Sequence, residues 1–283
     1  MKIRKGLVAL LVSSCILLGA ILLYGNRERL QTVWSADDVV WKQILQDEPM
    51  VQRKYLTYKI PMLTEEKPIP VKSLDPAQTS THVIQVPLLT QQDANFKTGC
   101  ELVSATMMLQ YYGIQIRPED FYQTYMQKGN VWFQNGVMYG DDPDKVFVGN
   151  PTELSGYGCY AGAIVAGMNQ VLQGERYSVN VTGSDLEELV ERYVAKGNPI
   201  IIWATMNMTE GTAGKSWTIT EEDGNTREFQ WVSGEHCLVL VGEDEQYYYF
   251  NDPSRTQVVV GYEKEIVKER YNRMGKQSVI ISR

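Results

Sequence analysis

The chain has 283 residues and a formal net charge of −7, from 27 Lys and Arg residues against 34 Asp and Glu residues. The basic residues are spread along the chain and form no cluster, so the charge pattern argues against nucleic acid as a partner. The four Cys and two His residues also lack the close spacing of a zinc motif. The sequence therefore predicts no metal site and no cofactor.

The N-terminus predicts a membrane anchor. Lys2, Arg4 and Lys5 precede an uncharged run, residues 6–24, which is close to the roughly 20 apolar residues that a bilayer core requires. Because the cations come first, we expect a single-pass protein with its N-terminus inside and the rest outside. The alternatives are a cleaved signal, which would make the protein secreted, and a lipoprotein signal at Cys15. No small-residue cleavage site follows the run, and the apolar stretch continues past Cys15.

The chain divides into three predicted segments: an anchor or signal at 1–25, an extracytoplasmic stalk or linker at 26–81, and one folded domain at 82–283. In the middle segment, prolines from Pro49 onward interrupt any regular element. A spacer is the preferred interpretation, and an inhibitory propeptide is the alternative. The last segment, at about 200 residues, is long enough for a single core.

Periodicity and end signals predict a mixture of helices and strands in the folded segment. The predicted helices are 100–112, 117–128, 160–172, 184–196 and 262–274. The predicted strands are 82–89, 199–206, 216–220, 227–232, 237–241, 247–251, 258–260 and 277–282. Gly129 is the expected C-cap of the second helix, and Ser184 with Glu187 forms a capping box before the fourth. Helices followed by strands predict an α+β domain.

Aromatic residues are frequent in the strand-rich half. They are interpreted as core and sheet packing and not as a ligand site. The residues concerned are Trp203, Trp217, Trp231 and Tyr247 to Tyr249.

Cys100 is the candidate nucleophile. It follows Gly99 and stands at the start of a predicted helix, where free backbone N–H groups and the helix dipole favour a thiolate. The alternative is that Cys100 is a small buried apolar residue.

His236 is the preferred candidate base, because the other histidine, His82, is less well placed. His236 opens an apolar strand that is followed by a returning strand, 247–251. A three-residue loop centred on Asp244 would place position 236 opposite Asp252, whose carboxylate could orient the imidazole. A loop one residue shorter would pair 236 with Pro253. The alternative is that His236 caps a core strand and Asp252 belongs to an ordinary turn.

Several segments resemble papain-like cysteine peptidases of the bacteriocin-leader-peptidase type, and more narrowly the secreted or membrane-anchored C39-like branch of Gram-positive bacteria. The similarity extends from Ile84 to the C-terminus in the order of that family. The segments that carry it are Val86-Pro87-Leu88-Leu89-Thr90-Gln91, Thr98-Gly99-Cys100-Glu101, Tyr111-Tyr112-Gly113, residues 144–151, residues 155–160, Gly234-Glu235-His236 and Asn251-Asp252-Pro253.

The resemblance implies a papain-like fold, with a helical half bearing the nucleophile and an antiparallel sheet half bearing the base. Cys100 would be the nucleophile, His236 the general base and Asp252 the orienting group. Gln91, or Gln92 as the alternate, would stabilise the oxyanion. Glu101 departs from the glycine that is more frequent in processing peptidases. Its carboxylate would oppose a thiolate, cap the helix or select a cationic substrate group.

Three functions are compatible with these residues. The preferred one is an extracytoplasmic cysteine peptidase acting on peptides or proteins. The second is acyl or amide transfer through the same triad, and the third is a catalytically silent surface-binding domain. Cys159 and Cys237 could pair as a disulfide, which would leave Cys100 free, or each could be a buried thiol.

Overall fold

A computed structural model describes residues 72–74, 83–172, 176–255 and 259–282. These residues all fall within one compact unit, Arg53–Arg283. The predicted anchor, most of the predicted stalk and His82 lie outside the described residues. None of the helices in the described part is long and apolar enough to cross a membrane.

The described residues contain thirteen strands and five α-helices. The strands are β1 Lys72–Leu74, β2 Lys128–Gly129, β3 Val131–Gln134, β4 Val137–Gly140, β5 Phe147–Val148, β6 Tyr177–Asn180, β7 Ile200–Thr205, β8 Thr212–Thr220, β9 Thr226–Ser233, β10 Glu235–Glu243, β11 Tyr247–Asn251, β12 Val259–Glu263 and β13 Ser278–Ser282. The helices are α1 Cys100–Tyr111, α2 Pro118–Tyr125, α3 Ala161–Val171, α4 Leu186–Arg192 and α5 Lys264–Arg273.

A seven-stranded antiparallel sheet forms the centre of the domain, in the order β1-β12-β11-β10-β7-β13-β6. Its middle strands β7, β10 and β11 are buried along nearly their whole length because helices cover both faces. Side chains of a strand alternate between the faces, so Val239 of β10 packs in a cluster with α1 and α3. Leu238 and Leu240 pack on the opposite face with α4 and α5. The result is an α+β domain, as predicted.

Helix α1 is buried on nearly all sides, with every residue from Cys100 to Leu109 buried. It packs between the central sheet and the other two helices of the first half. It ends beside Gly113, whose φ of +91° is costly for residues with a Cβ atom. The predicted boundaries of this helix are confirmed to within a residue.

A second sheet, ordered β3-β4-β8-β9, adjoins the central one. Its first two strands form a hairpin that turns at Asn135 and Gly136, both with positive φ. This Asn-Gly pair is a strong local signal for a tight hairpin turn. The sequence analysis did not identify these strands.

The tryptophans behave as predicted. Trp203, Trp217 and Trp231 are all buried, and the last two stack with ring centroids 6.4 Å apart. Tyr248 and Tyr249 are buried as well, while Tyr247 is half-buried.

Four local predictions are wrong. Residues 83–89 form no strand, and the second helix ends at Tyr125, so that Gly129 lies in β2 and caps no helix. The last helix begins at Lys264 because β12 continues to Glu263. The fourth helix ends at Arg192 and is followed by a single 3₁₀ turn up to Lys196.

The N-cap of α4 is Asp185 and not Ser184. The Asp185 carboxylate accepts hydrogen bonds from the backbone N–H groups of Glu187 at 3.0 Å and Glu188 at 3.5 Å. These groups have no partner within the helix, so the cap satisfies donors that the first turn leaves free.

We expect Asp185→Ala to lower the free energy of unfolding by about 1 kcal/mol, because it removes this cap. Ser184→Ala should cost distinctly less. Urea unfolding of the two variants and the wild type would measure the difference. A larger loss for Ser184→Ala would contradict the cap assignment.

Candidate active site

The N-terminus of α1 is fixed by the loop that precedes it. The backbone N–H groups of Lys97 and Thr98 both donate to the Pro151 carbonyl, at 2.6 and 3.0 Å. Gly99 lies against the ring of Phe96, and a Cβ atom at this position would come within 2.7 Å of it. The glycine therefore permits the close packing that presents Cys100 as the first residue of α1.

Helix α1 contacts the backbone of β10 at Cys237. Strand β11 pairs with β10 only from Val239 onward, which leaves Cys237 without a β11 partner. Its opposite residue in β7 is Trp203, whose N–H donates to Gln277 on the far side, so the Cys237 backbone groups point away from β7. There the Cys237 carbonyl accepts a hydrogen bond from Ser104 Oγ at 3.1 Å.

Cys100 is buried, with 5% of the residue exposed. Its thiol donates to Glu101 Oε2 at 3.4 Å. Burial raises the pKa of this thiol well above its ordinary value, and the charges of Glu101 and Glu235 raise it further. Hydrogen bonding from the backbone N–H of Cys237 opposes this rise only in part.

The contribution of the helix start to thiolate formation is therefore outweighed, first by burial and then by the charge of Glu101. The helix dipole is worth about 0.3–1 kcal/mol at such a position. A carboxylate about 4 Å away repels a thiolate by about 4 kcal/mol at an effective dielectric constant near 20. The repulsion between Glu101 and a Cys100 thiolate, which the sequence analysis considered, is therefore larger than the stabilisation by the helix dipole.

Glu101 is completely buried, and both of its carboxyl oxygens are in use. Oε1 accepts a hydrogen bond from the Cys159 N–H at 2.7 Å, and Oε2 accepts from the Cys100 thiol. Gly158 passes so close that a Cβ atom there would overlap Oε1. Burial raises the pKa of the Glu101 carboxyl to about 7, although hydrogen bonds from its own N–H and from Cys159 favour the ionised form.

His236 and Asp252 form a buried pair, with His236 Nε2 2.7 Å from Asp252 Oδ1 and neither side chain exposed. Ser254 donates to the same carboxyl oxygen from its backbone N–H at 2.8 Å and its hydroxyl at 2.7 Å. Tyr262 donates its hydroxyl to the other oxygen at 3.2 Å.

Burial by itself would raise the pKa of the Asp252 carboxyl. The charge and hydrogen bond of His236, together with the bonds from Ser254, instead hold that pKa well below its usual range. An ionised carboxylate is only an acceptor, so Nε2 is the nitrogen that donates. His236 Nδ1 is buried and has no hydrogen-bond partner among the described residues.

The contact between His236 and Asp252 does not arise from the register that the sequence analysis assumed. Val239 lies opposite Asn251, and a bulge between Leu240 and Gly242 shifts the pairing near the turn. By continuation of this register, position 252 faces position 238. The alternative pairing of 236 with Pro253 is wrong for the same reason. Asp252 follows the last residue of β11 and still reaches the His236 ring.

Among the described residues, the hydrogen bond of the Cys100 thiol is to Glu101, and none joins it to His236. Cys237 of β10 belongs to the cluster on the face toward α1, and alternation along the strand puts Glu235 on the same side. The thiol lies beside the Cys237 N–H, and backbone N–H groups lie in the plane of the sheet. Cys100 thus sits at the strand edge, next to the residue that follows His236.

The two glutamines differ in their surroundings. The Gln91 N–H donates to the Pro253 carbonyl at 2.8 Å, which ties Gln91 to the loop that carries Asp252. Asn251 Nδ2 strengthens this connection by donating to the Val86 carbonyl at 2.9 Å. Gln92 is exposed.

Glu235 was not identified as a site residue from the sequence, although it precedes the candidate base directly. Burial and the charge of Glu101 raise the pKa of its carboxyl well above the ordinary value. Within the described residues, one donor atom each from Cys100, Glu101 and Glu235 lie within 4.8 Å of one another. Cys159 and Cys237 are free buried thiols, so the disulfide considered from the sequence is not present in the structure.

A model of the Peptidase C39-like family matches residues 83–279. The chain belongs to this family. Its sequence is 26% identical to the uncharacterized protein YvpB of Bacillus subtilis (strain 168) over 210 residues, which cover 72% of this chain and 77% of YvpB. A crystal structure from Bacillus anthracis, of a protein named a C39-like peptidase without an established activity, aligns with a TM-score of 0.60 and 27% identity. That alignment covers 72% of this chain and 98% of the other.

These comparisons confirm the resemblance found in the sequence and support a papain-like α+β fold. They also support a peptidase-type function for the family as a whole.

The buried Glu101 carboxyl should make stability depend on pH. Its pKa in the folded protein is about 7, above the ordinary 4.5, so the contribution is present at low pH and is lost as the pH rises through 7. We expect Glu101→Gln to reduce the fall in unfolding free energy between pH 5 and pH 8.5 by about 2–3 kcal/mol. Urea unfolding at the two pH values measures this change.

Glu245→Gln is the matched control, because Glu245 is exposed in the loop between β10 and β11. It should retain the pH dependence of the wild type. An unchanged pH dependence in Glu101→Gln would show that this carboxyl does not titrate as described.

Proposed function

We propose that this protein is a cysteine-type peptidase that hydrolyses peptide bonds through Cys100, His236 and Asp252. The observation that carries the proposal is the buried His236–Asp252 pair. His236 Nδ1 has no hydrogen-bond partner among the described residues. The pair lies near the start of β10, the strand that Cys100 contacts at Cys237. Membership of the Peptidase C39-like family supports the same reaction class.

In the proposed reaction, Cys100 Sγ attacks the peptide carbonyl while His236 Nδ1 accepts the thiol proton. Asp252 holds the ring in the tautomer that leaves Nδ1 free, and it stabilises the imidazolium that forms. The imidazolium then protonates the leaving amine, which yields a thioester. Water hydrolyses the thioester with His236 acting as base and regenerates the thiol.

The resting thiol is neutral and bonded to Glu101, so it must leave this hydrogen bond when it transfers its proton to His236. The repulsion from Glu101 weakens once that carboxyl is protonated, near its pKa of about 7. Thiolate formation is thus coupled to the state of Glu101.

Gln91 is the proposed oxyanion donor. Its backbone is tied to the Asp252 loop through Pro253, and the half-buried position of Gln91 suits a side chain that faces a cleft. An amide N–H from this residue would stabilise the tetrahedral intermediate, as such donors do in other acyl-transfer enzymes.

The neutral Cys100 thiol also favours a second candidate, a catalytically silent binding domain on the same fold. Such a domain needs no reactive thiolate. Labelling with a peptide-based irreversible thiol inhibitor separates the two, because only the enzyme should be modified selectively at Cys100.

The proposed substrate is a peptide or protein outside the cell. This location depends on the predicted anchor at residues 1–25, with the catalytic domain on the outer side of the membrane. That segment lies outside the described residues, so the location remains a prediction.

We expect Cys100→Ala to abolish cleavage of a mixed-sequence peptide library and to leave unfolding by urea nearly unchanged. His236→Ala should be almost as severe, since it removes both the base and the acid. Asp252→Asn should cost less, because the nucleophile and base remain. Mass spectrometry of the cleaved library gives the rates. Activity that survives Cys100→Ala would refute the peptidase mechanism.

Gln91→Ala should lower kcat by about 10²–10³, the usual cost of losing an oxyanion donor. Gln92→Ala is the matched control and should retain activity close to that of the wild type. If the losses are reversed, the oxyanion role belongs to Gln92.

A further inference from the structure

Cys100, Glu101 and Glu235 form a compact group of acidic side chains within the described residues. One sulfur and two carboxyl oxygens lie within 4.8 Å of one another, and all three side chains are buried. Burial raises the pKa of the Cys100 thiol and of the Glu235 carboxyl, and the charge of Glu101 raises both further. The group must therefore hold protons, or a cation must take their place.

One carboxyl oxygen of this group has no hydrogen-bond partner among the described residues. Glu235 Oε1 is buried and accepts no hydrogen bond from the described residues. A buried carboxyl oxygen without a partner is costly, because it has lost its hydrogen bonds to water. One oxygen of this carboxyl group lies within 4.8 Å of the Cys100 sulfur and of a Glu101 carboxyl oxygen.

A second feature orients the cluster. Cys159 N–H holds Glu101 Oε1 at 2.7 Å, which leaves Oε2 directed at Cys100. Hydrogen bonds of this kind, made by the oxygen that does not coordinate, commonly fix a metal-binding carboxylate. Gly158 is closely packed against the same carboxyl group and restricts its movement.

We propose that Cys100, Glu101 and Glu235 form a binding site for a divalent cation of the zinc class. Three protein ligands with a water molecule in the fourth position suit tetrahedral Zn²⁺. Bonds of about 2.3 Å to sulfur and 2.0–2.2 Å to oxygen imply ligand separations of about 3.5 Å. The Cys100–Glu101 contact already has this length, at 3.4 Å. Glu235, whose ligand atom lies within 4.8 Å of the others, needs a shift of about 1.3 Å at most.

The donor set selects the class of ion. A thiolate with two carboxylates suits Zn²⁺ or Co²⁺, whereas Mg²⁺ and Ca²⁺ prefer oxygen ligands alone. A bound ion would replace the thiol proton and occupy the lone pair that attacks the carbonyl. Inhibition of cleavage by Zn²⁺ follows from this, and that part rests on the proposed peptidase function.

Cobalt provides a test that needs no substrate. Full-length protein is titrated with Co²⁺ alone, and the thiolate-to-cobalt charge-transfer absorption is recorded; Zn²⁺ is then added as a competitor. We expect one thiolate-bound Co²⁺ per chain, displaced by Zn²⁺. Cys100→Ala should abolish the band, and Glu235→Gln and Glu101→Gln should each weaken binding at least tenfold.

Glu245→Gln, which alters an exposed carboxylate near the same hairpin, should bind like the wild type. Thermal unfolding verifies that each variant is folded, and Glu235→Gln keeps the test decisive if Glu101→Gln fails to fold. Cobalt bound without a thiolate band, or a band that survives Cys100→Ala, would overturn the proposal.

The outcome is independent of the peptidase assay. Metal binding through Cys100 in a protein that cleaves no peptide would leave the site intact and refute only the proposed function. Peptide cleavage by a protein that shows no thiolate-bound cobalt would refute the metal site and leave the proposed function intact.

Discussion

The contact of α1 with the edge of β10 at Cys237 determines the rest of the site. Strand β11 ends its pairing with β10 before this point, and Ser104 of α1 takes the free carbonyl of Cys237. This hydrogen bond, one helical turn after Cys100, positions the helix start against the first residues of β10. As a result, the candidate nucleophile, the candidate base and two buried carboxyl groups come from two short segments that are far apart in sequence.

Burial by itself raises the pKa of all three carboxyl groups of the site, but their immediate partners lead to different charge states. The Asp252 carboxyl is paired with His236 and bonded by Ser254, so it remains ionised despite burial. Glu101 and Glu235 share their surroundings with a thiol and with each other, and burial raises the pKa of both carboxyls. Three buried carboxyl groups therefore differ in charge state because of their immediate partners and not because of their depth.

The same contrast explains why Cys100 is at once well placed and poorly ionised. The helix start and the Cys237 N–H favour the thiolate, but burial and the neighbouring Glu101 carboxylate outweigh them. A peptidase with this arrangement would form its reactive thiolate only when Glu101 is neutral or displaced. An ion that binds the cluster would use the same thiolate, so catalysis and metal binding would compete for one atom.

The sequence by itself determined the α+β class, the family resemblance, and helix α1 with Gly99 before it and Gly113 after it, because these depend on local periodicity and end signals. It also selected His236 and Asp252, although through a register that proved wrong. A bulge after Leu240 shifts that register, and bulges have no reliable sequence signal. Only the tertiary structure decided that Glu235 lies beside Cys100, that Asp185 caps α4, and that the thiol is neutral at rest. These features depend on which chain segments meet in space, and on the electrostatic cost of burying their charges together, which no local pattern encodes.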